Sequence, residues 1–392
     1  MTFSQDGKYV YGLTGYVRLR ETTVAKYIPY EQTFWLREYS ILTSLWPYKT
    51  DGLIRFKSTE IVLKPDENQK TNRMYFKFEF DREPHTLEQY SVHKDETLLQ
   101  IMIDLASVLT FLHSMHIWHR DVKPQNILIT KDNRAKLIDF THAFKSTPKA
   151  TRLSTNVVTV YYRAPELFRN QSYDNTIDVW SLAMILVEIV TGKTFVYEMI
   201  KDLDEHPETA TKKLIQDETL FKTELEKFFK ANTRGFKHID HYWRLICKMT
   251  EYDSTKRIVM SQVLHELKTI AKNAGIKYSN PSNSKRAIKN TDSYKCDNVK
   301  LLNRCRNLFG NSYVTYETGC DLVQYLISKN VITDENCLLY MRAVVLILET
   351  VLYDCIFDMS DDDQADLLQD AIKNIINNYG KEMFLSRMIF KD

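Results

Sequence analysis

The chain has 392 residues, 44% hydrophobic and 27% charged, with a formal net charge of +2. That length suits two or three domains, and the composition is that expected of a soluble globular protein. A charge this close to balance gives no global field directed at nucleic acid or anionic membrane. Six cysteines at positions 247, 296, 305, 320, 337 and 355 form no CxxC pair, so they are read as free thiols rather than a zinc site. The opening MTFSQDGKYVYG lacks the basic and apolar regions of a signal peptide. The longest apolar stretch considered as a membrane span, Leu338–Leu352, is broken by Arg342 and Glu349. The expectation is an intracellular protein of cytoplasm or nucleus.

The first 80 residues read mostly as strands. Lys8–Tyr11, Tyr16–Arg20 and Thr22–Tyr27 are rich in β-branched and aromatic residues, with Gly12 and Gly15 at the first turn. An amphipathic helix from about Glu31 to Leu45 follows, placing Glu38 beside Leu42 and Leu45. Met74–Phe80 alternates apolar and polar residues and runs into Asp81. Thr97–His116 carries Leu98, Ile101, Met102, Leu105, Val108, Leu109 and Leu112 at helical spacing, which predicts a buried helix.

Directly after it comes His119-Arg-Asp-Val-Lys-Pro-Gln-Asn126, then Asp139-Phe-Thr141 and Ala164-Pro-Glu166. One short loop thus holds a carboxylate able to accept a proton, a lysine able to neutralise phosphoryl charge and an amide able to ligate a metal. In order and spacing these three motifs closely resemble the eukaryotic-type Ser/Thr protein kinases, and within them the cyclin-dependent group. The resemblance covers roughly residues 8–271. It implies an α+β, bilobal protein kinase fold, with an N-terminal β-rich lobe over about 1–80 and a C-terminal α-helical lobe over about 81–271. It also implies ATP and Mg2+ as cofactors and protein substrates with Ser or Thr acceptors.

Residue roles follow from the same resemblance. Asp121 is the catalytic base, Lys123 meets the γ-phosphoryl charge, and Thr159 bridges the two. Asn126 and Asp139 are the magnesium ligands. Gly12 and Gly15 form the nucleotide-covering hairpin, with Val10 where the family's first glycine stands. Lys26 holds the α- and β-phosphates and pairs with Glu38, although twelve positions is a shorter interval than is usual in the family. Phe78 backs the adenine pocket, backbone groups near Glu79, Phe80 and Asp81 meet the purine, and Val17, Val24 and Leu128 are apolar walls. Thr141 replaces the family's glycine and lacks its access to positive φ, which points to restricted switching of that segment.

The stretch Val157–Glu166 is very similar to that of cyclin-dependent kinases, and its Arg163 resembles the arginine of the group that prefers proline after the target residue. Proline-directed phosphorylation is therefore expected. Ser154 aligns with the group's activating phosphosite. Arg120 and Arg37 match two of its three phosphate-binding arginines, and the third position is Phe144. Asp178 resembles the anchor of the catalytic loop, and Arg257 is expected to pair with Glu166 inside the protein. The rival reading is a pseudokinase or scaffold that binds partners with weak or no phosphotransfer.

Residues 272–299 are rich in Lys, Asn and Ser and read as a mobile linker. From 300 to 392, apolar residues at helical spacing predict a small all-α domain. Glu317–Ser328 and Cys337–Leu348 are faintly similar to the central helices of a cyclin box. That similarity implies activation in cis by pressure on the Glu31–Leu45 helix, or else a separate cyclin partner.

Overall fold

The computed structural model describes residues 2–3, 9–12, 15–29, 34–45, 48–65, 72–145, 159–169 and 172–285. Ser154 and the predicted helical domain over 300–392 lie outside the described residues, as do positions 286–299 of the predicted linker.

The N-terminal part is an antiparallel sheet of β1 (Thr2–Phe3), β2 (Tyr9–Gly12), β3 (Gly15–Leu19), β4 (Thr23–Pro29), β6 (Phe56–Pro65) and β7 (Asn72–Asp81) in the order β1-β2-β3-β4-β7-β6. Between β4 and β6 the chain forms α1 (Phe34–Leu45) and the short β5 (Tyr48–Thr50). Strand alternation sorts the two faces. Val17, Lys26 and Phe78 lie side by side in register on one face, and Arg18, Ala25 and Glu79 on the other. On α1 the residues Tyr39, Ile41, Leu42 and Leu45 are buried, and Tyr39 meets Phe76 edge-on at 5.7 Å.

The C-terminal part is helical. β8 (His85–Thr86) leads to α2 (Asp95–Ser114), then β9 (Ile117–Trp118), β10 (Ile127–Ile129), β11 (Ala135–Leu137) and β12 (Phe144–Lys145). There follow α3 (Pro165–Phe168), α4 (Thr176–Thr191), α5 (Phe195–Ile200), α6 (Pro207–Gln216), α7 (Glu218–Asn232), α8 (Ile239–Met249) and α9 (Met260–Asn273), and the described chain closes with β13 (Asn283–Lys285). All of α4 except Glu188 is buried, which is why its sequence shows little polar face. By length and composition α2 is apolar enough to cross a membrane, and it was not among the stretches weighed as a span from the sequence. Here it is a core helix, with Asp104 at 1% exposure bound by the Arg134 guanidinium through two bonds of 2.7 and 2.8 Å.

The α+β, bilobal architecture expected from the motifs is the one observed. Its boundaries differ in detail. Helix α1 starts at Phe34 rather than near Glu31, and α2 spans Asp95–Ser114 rather than Thr97–His116. Contacts also continue beyond position 271, because β13 pairs antiparallel with β5. The residues from 272 to 285, polar enough to read as linker, are secured through their backbone.

Candidate active site

Sheet, α1 and the loops after α2 converge on one cluster of charge. Lys26, on β4 between β3 and β7, reaches Glu38 Oε2 of α1 at 2.7 Å and Asp139 Oδ1 at 2.8 Å. Glu38 is 1% exposed. Burial pushes its carboxyl up to about 7, with the Lys26 charge opposing. Burial also works against ionised Asp139, but the Lys26 ammonium and donors from Thr141 outweigh it and hold that carboxyl well below the ordinary range.

Asp139 has φ 68°, and its donors among the described residues fall on one oxygen. Oδ1 accepts from Lys26 Nζ, from Thr141 N–H at 3.2 Å and from the Thr141 hydroxyl at 2.6 Å. Oδ2 is the oxygen left for a cation. Thr141 itself is not among the positive-φ residues, so the left-handed turn falls on Asp139 and a β-branched side chain fits two positions later. The hydroxyl that glycine lacks here becomes a third donor.

The catalytic-loop candidates are fixed from below by Asp178 at the start of α4. Its carboxylate accepts from His119 N–H and Arg120 N–H, both at 2.9 Å, and contacts His113 Nε2 at 2.9 Å. These bonds hold Arg120 at φ 62°, a conformation a long side chain rarely adopts. Burial lowers the His119 imidazole below its ordinary value, with the charge of Asp178 opposing. Its Nδ1 accepts from Asp121 N–H at 3.3 Å, so Nε2 carries the proton donated to Ile138 O at 3.0 Å.

Asp121 is 5% exposed and fully hydrogen-bonded. Oδ1 accepts from Thr159 N–H at 3.1 Å and lies 2.9 Å from its hydroxyl, while Oδ2 meets Lys123 Nζ at 2.7 Å and Asn126 Nδ2 at 2.9 Å. Lys123 Nζ also donates to Thr159 Oγ1 at 2.7 Å. Burial raises the Asp121 carboxyl, the Lys123 ammonium more than offsets this, and the charge of Asp139 is felt in return; the balance lies below the ordinary value. The amide nitrogen of Asn126 is spent on Asp121 O and Oδ2, which leaves its Oδ1 as a ligand atom.

Around this centre the other predicted residues fall into three groups. Val17 and Val24 on the sheet and Leu128 on β10 are half-buried, and Phe78 is fully buried beside Lys26 in register. Gly12 and Gly15 face each other at the end of the β2–β3 pair. Gly15 has φ 148°, and a Cβ there would lie 2.0 Å from Tyr27 O, so only glycine lets β3 approach β4 this closely. The residues expected at the purine behave differently. β7 continues as a paired strand through Phe80 to Asp81, the Asp81 N–H donates to Arg55 O at 3.1 Å, and the Glu79 side chain faces Arg20 and Lys77. The Asp81 amide is therefore taken by the ladder and not open to a purine. Phe80, 8% exposed, packs on Phe56 and Phe78.

Of the two predicted phosphate-binding arginines, the side chain of Arg120 is described. Arg120 is 3% exposed, with Nε on His142 O, Nη1 on Tyr173 OH and its guanidinium 5.2 Å from the centre of the Phe144 ring. The aromatic residue in the third arginine position thus stacks on the second. Arg37 sits on α1, and its side chain lies outside the described residues. Glu166 and Arg257 do meet, through paired bonds of 2.7 and 3.0 Å, with Arg257 over the Trp180 ring. Sequence reasoning overlooked His113 and the Thr141 hydroxyl. The signal for His113 was a ring-bearing polar residue on the apolar side of a buried helix.

A family model described as a protein kinase domain matches residues 29–267, beginning just after the Gly12–Gly15 hairpin and Lys26. An Aurora kinase of Debaryomyces hansenii is 34% identical over 138 residues, covering 32% of this chain and 34% of that protein. Mitogen-activated protein kinase 5 of Arabidopsis thaliana is 29% identical over 248 residues, covering 58% and 63%. The serine/threonine-protein kinase CLA4 of Eremothecium gossypii is 41% identical over 85 residues, covering 22% and 11%. The chain spans about a third of the length of the first of these relatives.

Proposed function

The chain belongs to the protein kinase family, and from that premise we propose that it is an ATP- and magnesium-dependent serine/threonine protein kinase with Asp121 as the base. The carrying observation is the closed network of Asp121, Lys123, Asn126 and Thr159 beside the Lys26–Glu38–Asp139 triad. The donor set fits the cofactor. Asn126 Oδ1 and Asp139 Oδ2 are hard oxygens suited to magnesium, and Lys26 is a cation suited to phosphate. Bound there, magnesium supplies neutralisation of phosphate charge. Asp121 Oδ1 or Oδ2 orients the acceptor hydroxyl and takes its proton, and Lys123 offsets the charge that develops on the transferred group.

Within the same reading, proline-directed specificity of cyclin-dependent type is supported by Arg163 and the stretch around it. Arg163 is 9% exposed, paired with Glu208 at 2.7 Å and stacked on Phe168, so it is a rigid feature of the segment before Glu166. Residues 300–392 are proposed as a helical, cyclin-like regulatory domain. The scaffold reading is favoured by one observation, the start of the family match after the hairpin and Lys26.

Purified chain incubated with Mg-ATP and paired Ser-Pro and Ser-Ala peptides separates these readings. Transfer to serine is expected, with preference for Ser-Pro, and Asp121→Asn is expected to lower kcat by at least about 100-fold. Absence of both transfer and magnesium-dependent nucleotide binding would leave the scaffold reading. Equal use of the two peptides would remove the proline preference alone.

A further inference from the structure

Beyond α9 the chain turns back across the molecule. Gly275, at φ 66°, reverses the backbone, with its N–H donating to Lys272 O and the Ile276 N–H to Ala271 O. Ile276 and Tyr278 pack on the core. Ser279 and Gln100 of α2 then exchange two bonds, Ser279 N–H to Gln100 Oε1 at 2.7 Å and Gln100 Nε2 to Ser279 O at 3.0 Å. Ser282 and Asp51 exchange two more, Ser282 N–H to Asp51 Oδ2 at 2.9 Å and Asp51 N–H to Ser282 O at 3.0 Å. From there β13 pairs with β5, Asn283 opposite Thr50 and Lys285 opposite Tyr48.

The partner strand β5 follows α1 almost directly in sequence. Its Tyr48 meets Phe111 of α2 edge-on at 5.3 Å, and just beyond it Gly52 O accepts from Leu137 N–H at 2.8 Å. Residues 276–285 therefore form a strap bonded to α2 on one side and, on the other, to β5 and Asp51, which follow α1 in sequence. Glu38 lies two turns back from Leu45 on that helix, about 10 Å along its axis. An α-helix transmits a tilt at one end along its length, and an ion pair of 2.7 Å tolerates little displacement.

We propose that the strap positions α1 for phosphotransfer, with Asp51 and Gln100 as positioning residues that act on the Lys26–Glu38 pair through the β5 segment. The inference deepens the kinase reading and rests on it for its catalytic consequence. It locates a control point in the chain where composition suggested only a tether.

Hydrogen exchange of α1 and peptide phosphorylation, both measured on the full chain, test it together. Asp51→Ala, and separately Ser282→Pro, which deletes the donated N–H, are expected to speed exchange of the α1 amides about tenfold. Both are expected to lower kcat at least as strongly as they raise KM for peptide. Asp51→Asn keeps an accepting oxygen and is expected to restore both readings, and the double variant is expected to add nothing to either single one. Unchanged α1 exchange in both single variants, with faster exchange only at 279–285, would overturn the strap's role. A parent chain without phosphotransfer defeats the kinase reading instead, while the exchange data still decide the strap. If Asp51→Ala loosens α4 and α8 as well, it reports general unfolding and Ser282→Pro decides.

Discussion

Glu38 and Asp121 are both buried carboxylates beside a lysine, yet they titrate in opposite senses. For Glu38 burial prevails and its carboxyl sits up at about 7; for Asp121 the Lys123 ammonium prevails and the carboxyl lies below its ordinary value. As pH falls through about 7, Glu38 takes a proton and the ion pair with Lys26 weakens, while Asp121 stays ionised. A pH profile of kcat/KM for ATP is therefore expected to show an acid limb with a midpoint near 7. Glu38→Gln is expected to flatten that limb and lower the plateau about tenfold, the loss of one positioned charge contact. A limb that persists unchanged in this variant would assign it to another group.

Among the elements, the β2–β3 hairpin leaves no room for a side chain at Gly15. Gly15→Ala places a methyl against Tyr27 O and a side chain on a φ of 148°. Strain of this kind costs on the order of 1–3 kcal/mol, and the hairpin is expected to lift from β4, raising KM for ATP about tenfold; Gly12→Ala, with its nearest neighbour at 3.7 Å, serves as the mild control. The motif-bearing elements were legible because their chemistry is local. Asp121, Lys123 and Asn126 lie within one loop, and Lys26 and Glu38 are only twelve positions apart. The strap was not legible, since Asn283–Lys285 joins β5 through backbone pairing, which leaves no apolar period to read. The bonding of the Asp81 amide was hidden for the same reason: a strand's end is set by its neighbours β4 and β6 rather than by its own residues. The fate of Arg120 depended on Tyr173 and Phe144, which only the folded chain brings to it.

The whole helical lobe is cross-braced by the Glu166–Arg257 pair, which joins α3 to the loop before α9. Arg257 has 0% side-chain exposure and also bonds Thr176 O and Glu251 O. Removing one charge strands the other in low dielectric, so Glu166→Gln is expected to cost about 3–5 kcal/mol. In calorimetry this should lower Tm by roughly 10 °C for a domain of this size. A drop of only a degree or two would mean that water reaches the guanidinium. In the active site the Thr141 hydroxyl has a pharmacological corollary. Any inhibitor that must first swing Phe140 from its seat against His119 has to unfasten three donors from one oxygen of Asp139, one of them a hydroxyl that glycine at this position would not offer. Compounds that leave this segment in place meet no such obstacle, so the chain should discriminate between the two chemotypes, and Thr141→Gly should narrow the gap.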